Sequence, residues 1–426
     1  MNSIESNAGI LSGQVIRLMD KGVHIPNPHA VEIGGDVQIE RISGSGVALY
    51  SGTKIYGPKT LISAGVKLGY ESPVTVADCQ LGPKVELKGG FFKASVFLEK
   101  ANMACGAQVR EGCLLEEEAN GSHTVGLKQT ILFPFVTLGS LINFCDCLMA
   151  GGTSRKNHSE VGSSYIHFNY TPNQDKATAS LIGDVPRGVM LNQPPIFLGG
   201  QGGIVGPARI GYGTLIAAGT VYRGDSPEGG KLLGMQNGSI GSPEKAFHMG
   251  FYGDVKRRVY NNCCYLANLL ALKQWYIHVR KPFFATQDMG LPLYEGAMEV
   301  LQSAVDERLT RFQALSEKMK ASIGIGGQIL KGHKKKTLLR QYNELMENWP
   351  QLKACFTAAC EDEIDGGNRK LFIEGLKPAM DKGGGYIEVV QGLDSALTAL
   401  GTQWLRNICD GIVEKAMNCL PSYSER

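Results

Sequence analysis

No run of 18 apolar residues occurs anywhere in this 426-residue chain, so the sequence offers no membrane-spanning helix. Its first residues also lack the basic-then-apolar pattern of a secretory leader. No C-x-x-C pair occurs, and the eleven cysteines are an odd number spread over apolar positions such as Cys79, Cys105 and Cys113. A disulfide framework is therefore not expected, and a reduced cytoplasm is the expected location. Cys145-Asp146-Cys147 and Cys263-Cys264 leave metal binding or oxidation open beside the plainer reading of packed thiols. Charge of one sign is lacking too: 43 basic against 40 acidic residues leave +3, too weak a field to hold nucleic acid or an anionic membrane. Small molecules are the expected partners. The one basic run, Lys331 to Lys336, reads as a solvated loop rather than a phosphate patch.

What the chain has in abundance is glycine, 55 residues of which 38 lie in the first 241, which points to a backbone that turns tightly and often there. From Val31 an aliphatic residue followed by Gly and small or polar residues recurs with period six, as in Val31-Glu-Ile33-Gly34, Val37-Gln-Ile39 and Leu81-Gly82-Pro-Lys-Val85-Glu-Leu87. The phrase returns in Ile204 to Arg209, Ile210-Gly211-Tyr-Gly213-Thr-Leu215 and Ile216-Ala-Ala218-Gly219-Thr-Val221. A period of six suits neither an amphipathic helix nor a hairpin. It suits a short strand plus a turn, three of which close one triangular coil of 18 residues. The fold class is then mainly β: a left-handed parallel β-helix of hexapeptide repeats followed by a C-terminal α-helical domain. Inward Val, Ile and Leu would stack from coil to coil, with Gly, Asn and Asp at the corners.

The boundaries read as an N-terminal cap and linker over 1–29, the β-helix over 30–228, a linker over 229–244 and a helical domain over 245–426. Gln14 to Lys21 is suited to a short capping helix, and Ser242-Pro-Glu-Lys to a helix start. Val259 to Val279, Ala297 to Met319, Lys335 to Met346 and Ala396 to Met417 carry apolar residues at helical spacing. Trp275, Tyr276, Trp349 and Trp404 are read as core.

At Gly162-Ser-Ser-Tyr-Ile-His-Phe-Asn169-Tyr170 and from Phe197 through Gly219-Thr, the chain resembles the bifunctional N-acetylglucosamine-1-phosphate uridyltransferase and glucosamine-1-phosphate acetyltransferase family. The likeness is to the acetyltransferase half. It begins at Met19-Asp-Lys-Gly22-Val23-His-Ile25-Pro-Asn-Pro28 and runs to Asp225. The family's Gly-rich nucleotide loop has no counterpart; Met149 to Lys156 imitates it inside the repeats, where a coil corner is expected. The resemblance therefore implies a chain related to UDP-N-acetylglucosamine pyrophosphorylases but lacking the uridyltransferase domain. It implies acetyl-CoA as co-substrate, a sugar phosphate or nucleotide sugar as partner, and a homotrimer with sites shared between subunits.

Residue by residue, the resemblance places Arg110 and Lys128, 18 positions apart, where the family holds a phosphate. Asn169 and Tyr170 match its N-Y-D, with Thr171 in place of the aspartate; Lys176 approximates a further substrate lysine, and Arg155 is a further candidate cation. Gly200 falls where the family has a serine near the thioester, and Ala218 where backbone contacts coenzyme A. The family's catalytic histidine falls on Asp146, and an aspartate accepts a proton only where its surroundings favour the protonated form. Three outcomes are open: Asp146 is so tuned, His158 serves from the neighbouring coil, or no acetylation occurs. Of these His158 ranks first. Two other classes compete: a non-catalytic nucleotide-sugar binder or scaffold, and a zinc enzyme of the carbonic anhydrase type using His123, His158 and His167. The nine-residue step from His158 to His167 argues against the latter, so no metal is expected.

Overall fold

The structure, a computed structural model, describes residues 11–234, 246–358 and 366–424. Short parallel strands from Glu32–Ile33 to Leu232–Leu233 wind into a left-handed β-helix with three faces. The first face carries Thr53–Tyr56, Val74–Ala77, Gly90–Lys93, Ala107–Val109 and the starts of Val125–Leu132 and Ile142–Met149. The second face carries Leu61–Ile62, Gln80–Leu81, Val96–Phe97, Leu114–Leu115 and the ends of the same two long strands. These eight-residue strands run around the corner, at Gln129 and Asp146, both in the left-handed region, and so join two faces into one sheet. The third face is a separate ten-stranded sheet.

Its inward column, Leu49, Leu68, Leu87, Met103, Leu138, Val161, Leu198 and Ile216, is fully buried. Gly121 interrupts that column, and a Cβ there would meet Met103 Sδ at 2.5 Å, so the methionine fills the space the glycine leaves. Helix α1 (Gly13–Asp20), with Ser12 capping it, buries Val15 and Leu18 against the first coil and covers its open end. Insertions enlarge the prism after Met149: an antiparallel hairpin (Gly152–Ser154 with Asn157–His158), a loop over 169–179, and a segment over 183–196 that carries α2 (Val185–Gly188).

The helical domain comprises α3 (Val255–Trp275), α4 (Lys281–Ala285), α5 (Gly290–Ile329), α6 (Gly332–Glu347), α7 (Trp349–Ala358), α8 (Gly366–Asp381), α9 (Tyr386–Gln391), α10 (Ser395–Asn418) and α11 (Pro421–Ser424). It packs along the second face, and this explains an oddity of the sequence there. Strands such as Leu61–Ile62, Val96–Phe97 and Leu114–Leu115 are apolar on both sides, and both sides are buried. One side points into the prism, and at Val96–Phe97 and Leu114–Leu115 the other lies under α5, whose Gly296 sits so close to the neighbouring strand that a Cβ would reach Gln80 Cγ at 2.8 Å. Burying each outward Leu or Val contributes about 1.5–3 kcal/mol, so this face helps to hold the domain on. Trp275, Tyr276 and Trp404 are fully buried, and Trp349 is buried against Phe312.

The expected linker at 229–244 and the helix start at Ser242 fall largely on residues 235–245, outside the described residues; Leu232–Leu233 still pair with Leu215–Ile216 in the third face. Lys331 to Lys336, read as a solvated loop, is solvated but helical from Gly332. The reason is local: Lys335 Nζ donates to Gly327 O at 2.5 Å and satisfies a terminal carbonyl of α5. No helix among the described residues is long and apolar enough to cross a membrane.

Candidate functional site

On the first face, Gln108 pairs with Gly126 and Val109 with Leu127, and Arg110 N donates to Leu127 O at 2.9 Å. Arg110 and Lys128 are thus equivalent positions on successive coils, and their side chains leave the same face. The next coil continues the column with Cys145, which pairs with Lys128. A shallow cleft of about 470 Å³, lined among others by Gln108, Arg110, Asn143 and Cys145, lies along this column. Lys128 Nζ contacts Glu111 Oε1 at 2.5 Å, and that hydrogen bond holds the Glu111 carboxyl below its usual range. Cys145 gives its Sγ–H to Asn143 Oδ1 at 3.3 Å. Burial, then the nearby Asp146 charge, pushes the thiol up to about 11 against the pull of Arg110 and Lys176, so it stays protonated at neutral pH.

The corner beyond the cleft is built around Asp146. Asn169 Nδ2 donates to its Oδ2, and Arg308 Nη2, reaching in from α5, lies 2.6 Å from its Oδ1. Arg308 Nη1 also donates to Lys176 O at 3.4 Å. The structure therefore gathers Arg110, Lys128, Asp146, Asn169 and Lys176 around one cleft and corner. Both oxygens of Asp146 are held by donors and the residue is buried, which is the geometry of an anchor and not of a group reaching for an ammonium proton. Arg308 was not foreseen, because nothing in a helical segment 162 positions away marks one arginine among several.

The other candidates stand elsewhere. Tyr170 is exposed on the 169–179 loop. Arg155 belongs to the hairpin at the corner between second and third faces, where Nη1 donates to Glu118 O (3.0 Å), Phe135 O (2.9 Å) and Thr137 Oγ1 (2.9 Å). His158 lies in the same hairpin, with Nδ1 2.9 Å from Arg155 O and Nε2 3.6 Å from Glu160. The second face separates it from Asn169, so its first rank as proton acceptor finds no support in position. The reason is that residues 150–159 leave the coil as a hairpin, and the count of 18 fails across them.

His167 points inside the prism, bonded to Cys145 O at 2.5 Å and Ser180 Oγ at 2.7 Å, and burial lowers its imidazole to about 4. His123, His158 and His167 therefore occupy three separate surroundings and form no shared site. Cys147 and Cys263 are packed thiols, and Cys264 sits 3.8 Å from Arg209 Nη1. Met149 to Lys156 is the end of a strand and the hairpin, without the helix a nucleotide loop opens. Gly200 and Ala218 stack at the corner between third and first faces, where Gly219 N donates to Gly200 O at 2.9 Å. Around that corner the third face exposes the aligned Phe197, Leu215 and Leu232, and the first face Ile166, Phe168 and Val221.

No family model matches the chain. It is similar to the bifunctional protein GlmU of Thermotoga maritima, 25% identical over 215 residues, which are 50% of this chain and 42% of the relative. It is likewise similar to the bifunctional protein GlmU of Pelobacter propionicus, 29% identical over 225 residues, 52% of this chain and 43% of the relative. A third such protein, from Fervidobacterium nodosum, is 27% identical over 222 residues. The chain spans less than half the length of the curated relatives it matches.

Proposed function

We propose that the first-face cleft transfers an acetyl group from acetyl-CoA to an amino sugar or sugar phosphate, in chemistry related to UDP-N-acetylglucosamine biosynthesis. The observation that carries this reading is the stacking of Arg110 on Lys128, two cations on successive coils beside Lys176 and Asn169, a spacing suited to a phosphate. In this reading Arg110, Lys128 and Lys176 hold the phosphate and Asn169 the sugar. The corner at Gly200 and Ala218 receives acetyl-CoA through backbone groups. Asp146 positions Asn169 and takes no proton itself.

We further propose a homotrimer, for which the exposed column Phe197, Leu215 and Leu232 offers an apolar seam. The second reading is a non-catalytic binder of a nucleotide sugar or sugar phosphate. Asp146 favours it, since the position matching the family's base is locked by Arg308.

One experiment separates the two. Purified protein is mixed with acetyl-CoA and a panel of amino-sugar phosphates; free thiol is followed, and sugar-phosphate binding is measured by calorimetry. Turnover that Arg110→Ala abolishes supports transfer. Tight binding with no thiol release selects the binder, and neither binding nor turnover retires both.

A further inference from the structure

A second cluster of side chains stands at the corner joining the third face to the first. A carboxylate oxygen of Glu71, the sulfur of Cys105 and an imidazole nitrogen of His123 all lie within 4.8 Å of one another. Two of the three are neighbours by construction. Thr124 N donates to Cys105 O at 3.0 Å, and Leu141 N to His123 O at 3.0 Å, so Cys105 and His123 are equivalent corner positions on successive coils. Coils stack about 4.8 Å apart, so side chains leaving the same corner position start at a chelating separation.

Glu71 comes from a coil further back. Glu71 N and Ser72 N both donate to Lys88 O, at 2.8 and 3.0 Å, folding the corner 69–73 over the next coil. At Gly89 any Cβ would collide with the Ser72 side chain, and the glycine gives that corner its passage. Glu71 thereby reaches Cys105, whose N–H donates to Glu71 Oε2 at 3.1 Å. Lys88 Nζ, 3.1 Å from Glu71 Oε1, is the carboxylate's other partner.

We propose that Glu71, Cys105 and His123 bind a zinc ion, with a fourth position open to water. The donor set of one carboxylate, one thiolate and one imidazole is what zinc takes, at about 2.0–2.3 Å from each. In a tetrahedron such ligands stand roughly 3.5 Å apart, so side-chain rotation closes the present arrangement without moving the coils. The cluster is partly exposed, which gives an ion access. Zinc bridges three coils here, and Lys88 is its competitor for the carboxylate. The site is independent of the acyl-transfer reading and departs from the expectation of a metal-free chain.

The test uses the full chain, stripped with chelator and carrying Cys355→Ser, because Cys355 and Cys419 bring their sulfurs within 3.6 Å and offer a competing thiol pair. Zinc is titrated against a chromophoric chelator, and cobalt is used as a spectroscopic probe. The expected result is one zinc per chain, with a thiolate-to-cobalt absorption band. Cys105→Ser and His123→Ala should each weaken binding by more than about tenfold and remove or alter the band. Lys88→Ala should tighten binding about threefold or more, by freeing the carboxylate. Zinc affinity unchanged in both ligand variants would sink the site, as would a wild type that binds no better than the Cys105→Ser/His123→Ala double variant, or a Lys88→Ala protein that binds more weakly.

Discussion

Arg308 on α5 places Nη2 2.6 Å from Asp146 Oδ1, with only 3% and 5% of the two side chains exposed. The pair ties the corner of the β-helix to the helical domain and holds Asp146 against Asn169. Removing one partner alone leaves a buried charge uncompensated. Arg308→Met should therefore cost about 3–5 kcal/mol in denaturant unfolding, whereas Asp146→Asn with Arg308→Met should recover most of that loss. Additive losses in the double variant would show that the two side chains do not act as a pair.

A second contact between the same bodies is sensitive to pH. Tyr276 OH donates to Glu116 Oε1 at 2.5 Å, and Arg280 Nη2 to Glu117 Oε1 at 2.5 Å. Burial raises the Glu116 carboxyl from 4.5 to about 7, against the pull of Arg280. Between those values the folded protein binds a proton that the unfolded chain does not, so this contribution is present in acid and is lost as pH rises through about 7. His167, lowered to about 4, acts in the opposite sense as pH falls below 6.5. The difference between wild type and Glu116→Gln isolates the first effect. From pH 5 to 8, wild-type thermal stability should fall relative to the variant by on the order of 1–3 kcal/mol.

The cleft makes its own prediction. Lys128 is engaged by Glu111 at 2.5 Å, so Glu111→Gln should release the ammonium and tighten binding of a sugar phosphate. Lys128→Ala and Arg110→Ala should each weaken it by about ten- to a hundredfold, corresponding to the roughly 1.5–3 kcal/mol of a charged hydrogen bond. Calorimetry in moderate salt reads all three. An Arg110→Ala protein that binds as well as wild type would move the phosphate elsewhere.

The proposed trimer makes a prediction about the third face. Leu215, 41% exposed, is flanked in register by Phe197 and Leu232. If this column is the trimer seam, Leu215→Glu should shift the mass measured by light scattering from three chains to one without changing the circular dichroism. A mass unchanged by the substitution would place the seam on another surface.

Much of the prism was legible because its period is local. Val31-Glu-Ile33-Gly34 and Ile210-Gly211-Tyr-Gly213 each state a strand and a corner within six residues, and Arg110 over Lys128 follows from counting 18. The count failed where the chain leaves the coil. Hairpin 150–159 carries His158 and Arg155 to a different corner from Asn169, and equal spacing cannot reveal a detour. Cys105 and His123 are also 18 apart, and that signal was available; Glu71 was not, because it depends on one corner folding over another at Gly89.

The sequence by itself determined the triangular coil, the helical identity of the C-terminal segments and the column that stacks two cations. These rest on hydrogen bonds and side-chain alternation between residues at most a coil or a helical turn apart. Only the tertiary structure decided that the helices cover the second face, that Arg308 fills the corner of Asp146 and that His167 points inward. Those outcomes depend on which apolar surfaces find each other across more than a hundred residues, and no local period encodes that choice.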